Sequence, residues 1–228
     1  KLHSRSKMEL QSKKYQIWKE ILFLGSISLI CFLFSLIRFF YTDTKSFLFL
    51  NWNLFLAFVP WLLSTVLLLS PVLQKIKICI FGIIAFWLLF FPNAPYILTD
   101  LFHLKRNTSV PIWFDLVLIL SFAWVGLLFG FISLWNIEQV LSKRISQKII
   151  PVLSMILLFI GSFGIYLGRY LRWNSWDIIS EPLKILDDIG DRVVNPVRYL
   201  QTWGMTFFMF IFLSILYWSF RFVKNRKI

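Results

Sequence analysis

Charge is scarce in this sequence. Only 15% of its 228 residues are charged and 58% are hydrophobic, where a soluble domain averages about a quarter charged. A water-soluble fold could not hide that much apolar surface, so the class left is an integral membrane protein. Acid is scarcer than base, with 11 Asp and Glu against 24 Lys and Arg. Cysteine is nearly missing. Cys31 and Cys79 lie far apart in apolar segments, with no CxxC and no ligand-like spacing. That removes a thiolate metal site and leaves two small packing residues. HExxH, GxSxG, a Walker loop and an EF-hand are all lacking. No internal repeat is evident, which counts against an inverted-repeat transporter.

Long apolar runs are what is present. A spanning helix needs about 20 mainly apolar residues, and six segments qualify: about 18–40, 47–70, 76–91, 112–135, 149–171 and 203–222. The expected fold is therefore all-α and integral to the membrane. It has six transmembrane helices in a single domain over 18–222, between basic tails at 1–17 and 223–228. A broken or re-entrant segment should follow the third span, and an amphipathic surface helix should precede the sixth. Lys1, Arg5, Lys7, Lys13, Lys14 and Lys19 precede or edge the first span, and Lys75 and Lys77 follow the second. Lys143, Arg144 and Lys148 follow the fourth, and Arg221, Lys224, Arg226 and Lys227 close the chain. Only Glu9, Glu20 and Glu138 accompany them. The positive-inside rule then places both termini in the cytoplasm. The basic excess is a topology signal and a contact to membrane lipids, not a nucleic-acid site.

The same topology gathers unusual residues on the outer side. In "FPNAPYILTDLFHLKR" (91–106), Pro92 and Pro95 each lack an N–H and bias the preceding residue away from helix. The third span should break around 91–94 and resume as a short helix over about 95–104. On an α-helix Tyr96, Asp100 and His103 would share one face, with Asn93 serving the break. Asp115 follows Pro111 in "PIWFDL". It either complements a helix N-terminus or faces inward as a paired carboxylate. In "GSFGIYLGRYLRWNSWD" (161–177), Gly164 and Gly168 allow close helix approach. Arg169 and Arg172 follow on one face, and Asn174 and Asp177 end the helix. The arginines either snorkel to lipid phosphates or pair with Asp100 or Asp115, since an unpaired cation at mid-membrane costs about 2.5–3.5 kcal/mol on insertion scales. Arg38 is expected to snorkel. In "EPLKILDDIGDRVV", Leu183, Leu186, Ile189 and Val193 form the apolar side of a surface helix.

Four stretches carry a resemblance: "NLFLAFVP" (53–60), "FPNAPYILTDLFHL" (91–104), "PIWFDLVLILSF" (111–122) and "GIYLGRYLRWNSWD" (164–177). Through them the chain resembles the bacterial integral membrane family called domain of unknown function 1361, over roughly residues 50–218. By that likeness Asn53, Asn93, Tyr96, Asp100, His103, Asp115, Arg169, Arg172, Asn174 and Asp177 occupy family motif positions. The likeness implies a multi-pass protein of a bacterial plasma membrane and assigns no cofactor, metal or substrate.

Three functions fit. In a membrane enzyme acting on a lipid-linked or envelope substrate, Asp100, His103 and Asp115 would be the catalytic groups. Arg169, Arg172, Tyr96, Asn93, Asn174 and Asp177 would then hold the substrate or its anionic group. A transporter or lipid translocase would use the broken helix and need a polar cavity below Tyr96. In a non-catalytic subunit or assembly factor, partnered with other membrane subunits, the same charges are a network that fixes the bundle.

Overall fold

The structure is a computed structural model that describes residues 2–104 and 110–225, with side chains over 11, 13–104 and 110–224. Parts of the expected basic tails, and Lys105 and Arg106 of the 91–106 stretch, lie outside those residues. Every regular element among the described residues is helical. In order they are α1 (Leu2–Thr42), α2 (Phe49–Leu69), α3 (Pro71–Lys75), α4 (Lys77–Phe90) and α5 (Asn93–Tyr96), then a 3₁₀ helix (Ile97–His103). There follow α6 (Ile112–Leu141), α7 (Ile150–Tyr170), α8 (Asp177–Ser180), α9 (Pro182–Val194) and α10 (Leu200–Asn225). Proline marks several starts: Pro71 and Pro182 open α3 and α9, and Pro111 caps α6. A missing N–H is harmless there, because the first helical N–H groups have no partner anyway.

Among the described residues six stretches are long and apolar enough to cross a membrane: Lys13–Thr42, Phe49–Leu69, Lys77–His103, Ile112–Leu141, Ile150–Tyr170 and Leu200–Lys224. They match the six expected spans. α6 is the axis. Its residues 125–134 are all buried, as befits a helix apolar on every side. The most apolar part of α6 is 67% buried, against 17% for α1 and 22% for α10, so those two helices are peripheral.

The third span is longer than expected because the prolines do not unwind it. Phe91 (φ −54°, ψ −41°) and Pro92 (φ −57°, ψ −28°) keep right-handed helical dihedrals. What changes is the hydrogen bonding. The Ala94 N–H turns to the Phe91 carbonyl at 3.1 Å, and the chain winds on as a 3₁₀ helix. The expected unwound break with a separate helix over 95–104 is corrected to a tightening of one continuous path. A 3₁₀ helix repeats every three residues. Asp100 and His103 therefore eclipse, and Tyr96 leaves the stripe that a 3.6-residue period would assign it.

This tightened segment wedges between α6 and α7. A Cβ on Gly126 would lie 2.7 Å from the Ala94 carbonyl oxygen, and one on Gly164 would lie 2.5 Å from Pro92 Cγ. The close approach allowed by Gly164 is thus to the proline turn. Gly164→Leu is expected to destabilise the fold by about 1–3 kcal/mol, read as a lowered melting temperature in detergent. Gly25→Leu, whose Cβ meets nothing within 4 Å, should melt with the wild type.

α9 is the expected surface helix, with one correction to its faces. Leu183, Leu186 and Val193 are 75%, 63% and 56% exposed, while Ile185 turns inward and is buried.

Candidate functional site

The tightening of the third span sets Asp100 in the bundle. Asp100 is 1% exposed. Asn53, from the first turns of α2, donates its Nδ2–H to Oδ2 at 2.8 Å, and Arg169 donates Nη1–H to Oδ1 at 3.3 Å. Arg169 lies in the last turn of α7, where a cation also suits the helix dipole. Its guanidinium sits 5.2 Å from the Phe102 ring centre and 5.9 Å from that of Tyr96, within reach of a cation–π attraction. His103 is exposed, with Nε2 3.4 Å from Arg169 Nη1. Arginine can only donate, so this contact uses the Nε2 lone pair of a neutral ring. Asp100, His103, Arg169 and Tyr96 are thus one constellation, joined by Asn53.

Asp115 belongs elsewhere. It is fully buried and paired with Arg38 of α1, Nε to Oδ1 at 2.6 Å and Nη2 to Oδ2 at 3.3 Å. Arg38 also donates to the Thr44 hydroxyl at 3.1 Å and the Ser46 carbonyl at 3.2 Å. The expectation that Arg38 snorkels is therefore overturned. It is 2% exposed, and a bidentate carboxylate offsets the burial of its charge. Asp115 is inward-facing and paired, but not with Arg169.

Asn93, Arg172, Asn174 and Asp177 shape the turn after α7. Asn93 donates to the Phe90 carbonyl at 3.0 Å and to Ser175 Oγ at 2.9 Å, while Ser175 donates to the Leu89 carbonyl at 2.8 Å. These bonds pin the turn to the end of α4. Asp177 Oδ2 accepts from the Asn174 backbone N–H at 2.7 Å and its Nδ2–H at 3.0 Å, so the pair holds the turn itself. Arg172 is exposed and left-handed, with φ 61°. A non-glycine residue there stores about 1–3 kcal/mol of strain. The turn lets the Trp173 N–H return to the Leu167 carbonyl at 3.2 Å, and the Trp173 ring N–H donates to Asp188 at 2.8 Å. Beyond it, the Tyr199 hydroxyl and the Asn195 amide donate to Asp191 and hold its carboxyl below the usual range.

A cavity of about 690 Å³ lies between α4 and α7, beside this turn. Gly82 and Ala85 of α4 and Ile160 and Phe163 of α7 line its depth, and Ile185 and Ile189 of α9 close its top. Below the Asp100 constellation the core is packed with apolar rings: Trp87 is fully buried and Phe91 is 1% exposed. Among the described residues no group of three or more His, Cys, Asp and Glu could hold a metal ion.

Two groups of residues escaped sequence reasoning. Ser175 carries no signal by type or spacing. At the far end of α6, Glu138 accepts at Oε1 from Tyr217 at 2.7 Å, from Arg221 at 3.0 Å, and from Ser154. The sequence sets Glu138 just beyond the expected end of the fourth span, among the loop charges, and only the longer α6 brings it inside as a buried, paired carboxylate.

The family model described as Protein of unknown function (DUF1361) matches residues 52–216, and the chain belongs to that family. No curated protein and no solved structure matches it.

Proposed function

Starting from that membership, we propose that this integral membrane protein is a non-catalytic subunit or assembly factor of a bacterial plasma-membrane complex, with both termini cytoplasmic. One observation carries the reading. Both carboxylates suited to acid–base work, Asp100 and Asp115, are already paired inside the bundle, at 3.3 Å with Arg169 and 2.6 Å with Arg38. A catalytic acid or base needs an exchangeable proton at a substrate, whereas these groups join helices to one another. The cavity below Tyr96 is lined along its depth by apolar groups, and Trp87 and Phe91 are buried in the core, which is the reason for setting a polar transport path aside.

The enzyme reading rests on a different observation, the exposed His103 beside Arg169. Arg169→Ala separates the two. On the subunit reading it leaves Asp100 buried without its cation, at a cost of about 3–5 kcal/mol. Expression, melting temperature and any host phenotype should then fall together. Wild-type melting with a lost phenotype would transfer the site to the enzyme reading.

A further inference from the structure

We propose that the cavity between α4 and α7 is a binding site for one anionic phospholipid, its acyl chain in the cavity and its phosphate at Arg172. The inference goes beyond the subunit reading and does not depend on it.

The dimensions carry the first part. α7 packs chiefly on α10 and α4 on α2, which leaves the gap between α4 and α7. Residues 82 to 92 line the cavity on one side and 160 to 168 on the other. At 1.5 Å per helical residue the cavity runs about 12–15 Å along the helices. The hydrocarbon core of a bilayer is about 30 Å thick, so this depth is that of one leaflet. The volume falls within the roughly 300–1,000 Å³ of sites that enclose a single small ligand. Small residues make the room: a Cβ on Gly82 would meet nothing within 4 Å.

The polarity carries the second part. The deep lining is aliphatic and aromatic, whereas Asn53, Asn93, Tyr96 and Asn174 sit at the Asp100 end. A polar solute would need polar groups along its whole path, and an amphiphile needs them only at its head. α9 lies across that end, with Ile185 and Ile189 inward and Leu183 and Leu186 exposed, as for a helix lying in a headgroup layer.

Charge identifies the head. Of the acids near the mouth, Asp177 is engaged by Asn174 and Asp188 by Trp173 and Arg192, while Asp187 of α9 is exposed. Arg169 is engaged by Asp100. Arg172, next to the lining residue Trp173, is exposed and has no hydrogen bond or ion pair with a described residue, and neither has the Tyr96 hydroxyl. A guanidinium one residue before the lining residue Trp173, in the turn that closes α7, suits a phosphate bound at that end of the cavity.

The test is native mass spectrometry of the full chain after detergent extraction from vesicles of phosphatidylcholine and phosphatidylglycerol in equal amounts. The wild type should retain one phosphatidylglycerol per chain. Gly82→Phe and Ala85→Phe, which fill the slot, should lose the lipid while melting as the wild type does. Arg172→Gln should keep a lipid but lose the preference for phosphatidylglycerol, because the two lipids share the phosphate and differ in net headgroup charge. Equal retention by the wild type and both filling variants would overturn the site. Retention without headgroup preference in the wild type would overturn the role of Arg172. A copurifying polypeptide displaced by Gly82→Phe, with no lipid retained by the wild type, would assign the slot to a partner helix instead.

Discussion

Arg38→Ala should destabilise the protein by about 3–5 kcal/mol, because it strands the Asp115 carboxylate in a site with no access to water. The loss is not confined to one ion pair. Arg38 reaches the Thr44 hydroxyl and the Ser46 carbonyl, and its guanidinium lies 4.6 Å from the Phe47 ring centre. One side chain thus organises the connection from α1 to α2, in which Asp43 and Phe47 both hold positive φ. α1 buries little apolar surface of its own, so this clamp is a large part of what seats it. Proteolysis should cut the 43–48 connection faster in the variant, and the melting temperature should fall. The apolar double variant Arg38→Met with Asp115→Leu should recover most of the loss, since a buried pair replaced as a unit is often neutral. A single variant that melts like the wild type would remove the clamp from the account of the fold.

This pair also marks where sequence reasoning stops. The six spans were legible because length and apolarity suffice to define them. That Arg169 calls for a carboxylate is legible, because an unpaired cation in a span is costly, but the sequence leaves Asp100 and Asp115 both open and the structure pairs it with Asp100. Arg38 was misjudged for a geometric reason: Asp115 is 77 residues away, and nothing in the sequence fixes how α1 and α6 are rotated toward each other. The same holds for α9, where Leu183 and Leu186 share a stripe yet face away from the protein, and Ile185 takes the inner position. A period of 3.6 residues sets Tyr96, Asp100 and His103 on one stripe, but residues 97–103 wind at three per turn, and Tyr96 meets the group through Arg169 instead. The arginine in the left-handed turn at 172 carried no signal, since glycine or asparagine is the usual occupant.

The second large effect lies at the other end of α6. Glu138→Leu is expected to cost about 3–5 kcal/mol, because the carboxylate is buried and gathers three donors at one oxygen. Tyr217, itself fully buried, would keep a hydroxyl with no acceptor, and Arg221 would keep its charge between the Trp135 and Trp218 rings without a counterion. Tyr217→Phe removes only one donor, so about 1.5–3 kcal/mol is expected for it. Asp115 and Glu138 are 23 residues apart on one helix, about 35 Å at helical rise. That is close to the hydrocarbon thickness of a bilayer, about 30 Å. The charges therefore sit near the two ends of the most buried helix, and each ties down a peripheral one, α1 through Arg38 and α10 through Arg221. Sites so far apart should act independently, so the losses in an Arg38→Ala, Glu138→Leu double variant should add within about 0.5 kcal/mol. Equilibrium unfolding in detergent reads this directly. A double loss well short of the sum would mean that α1 and α10 detach in one cooperative step and are not held by separate clamps.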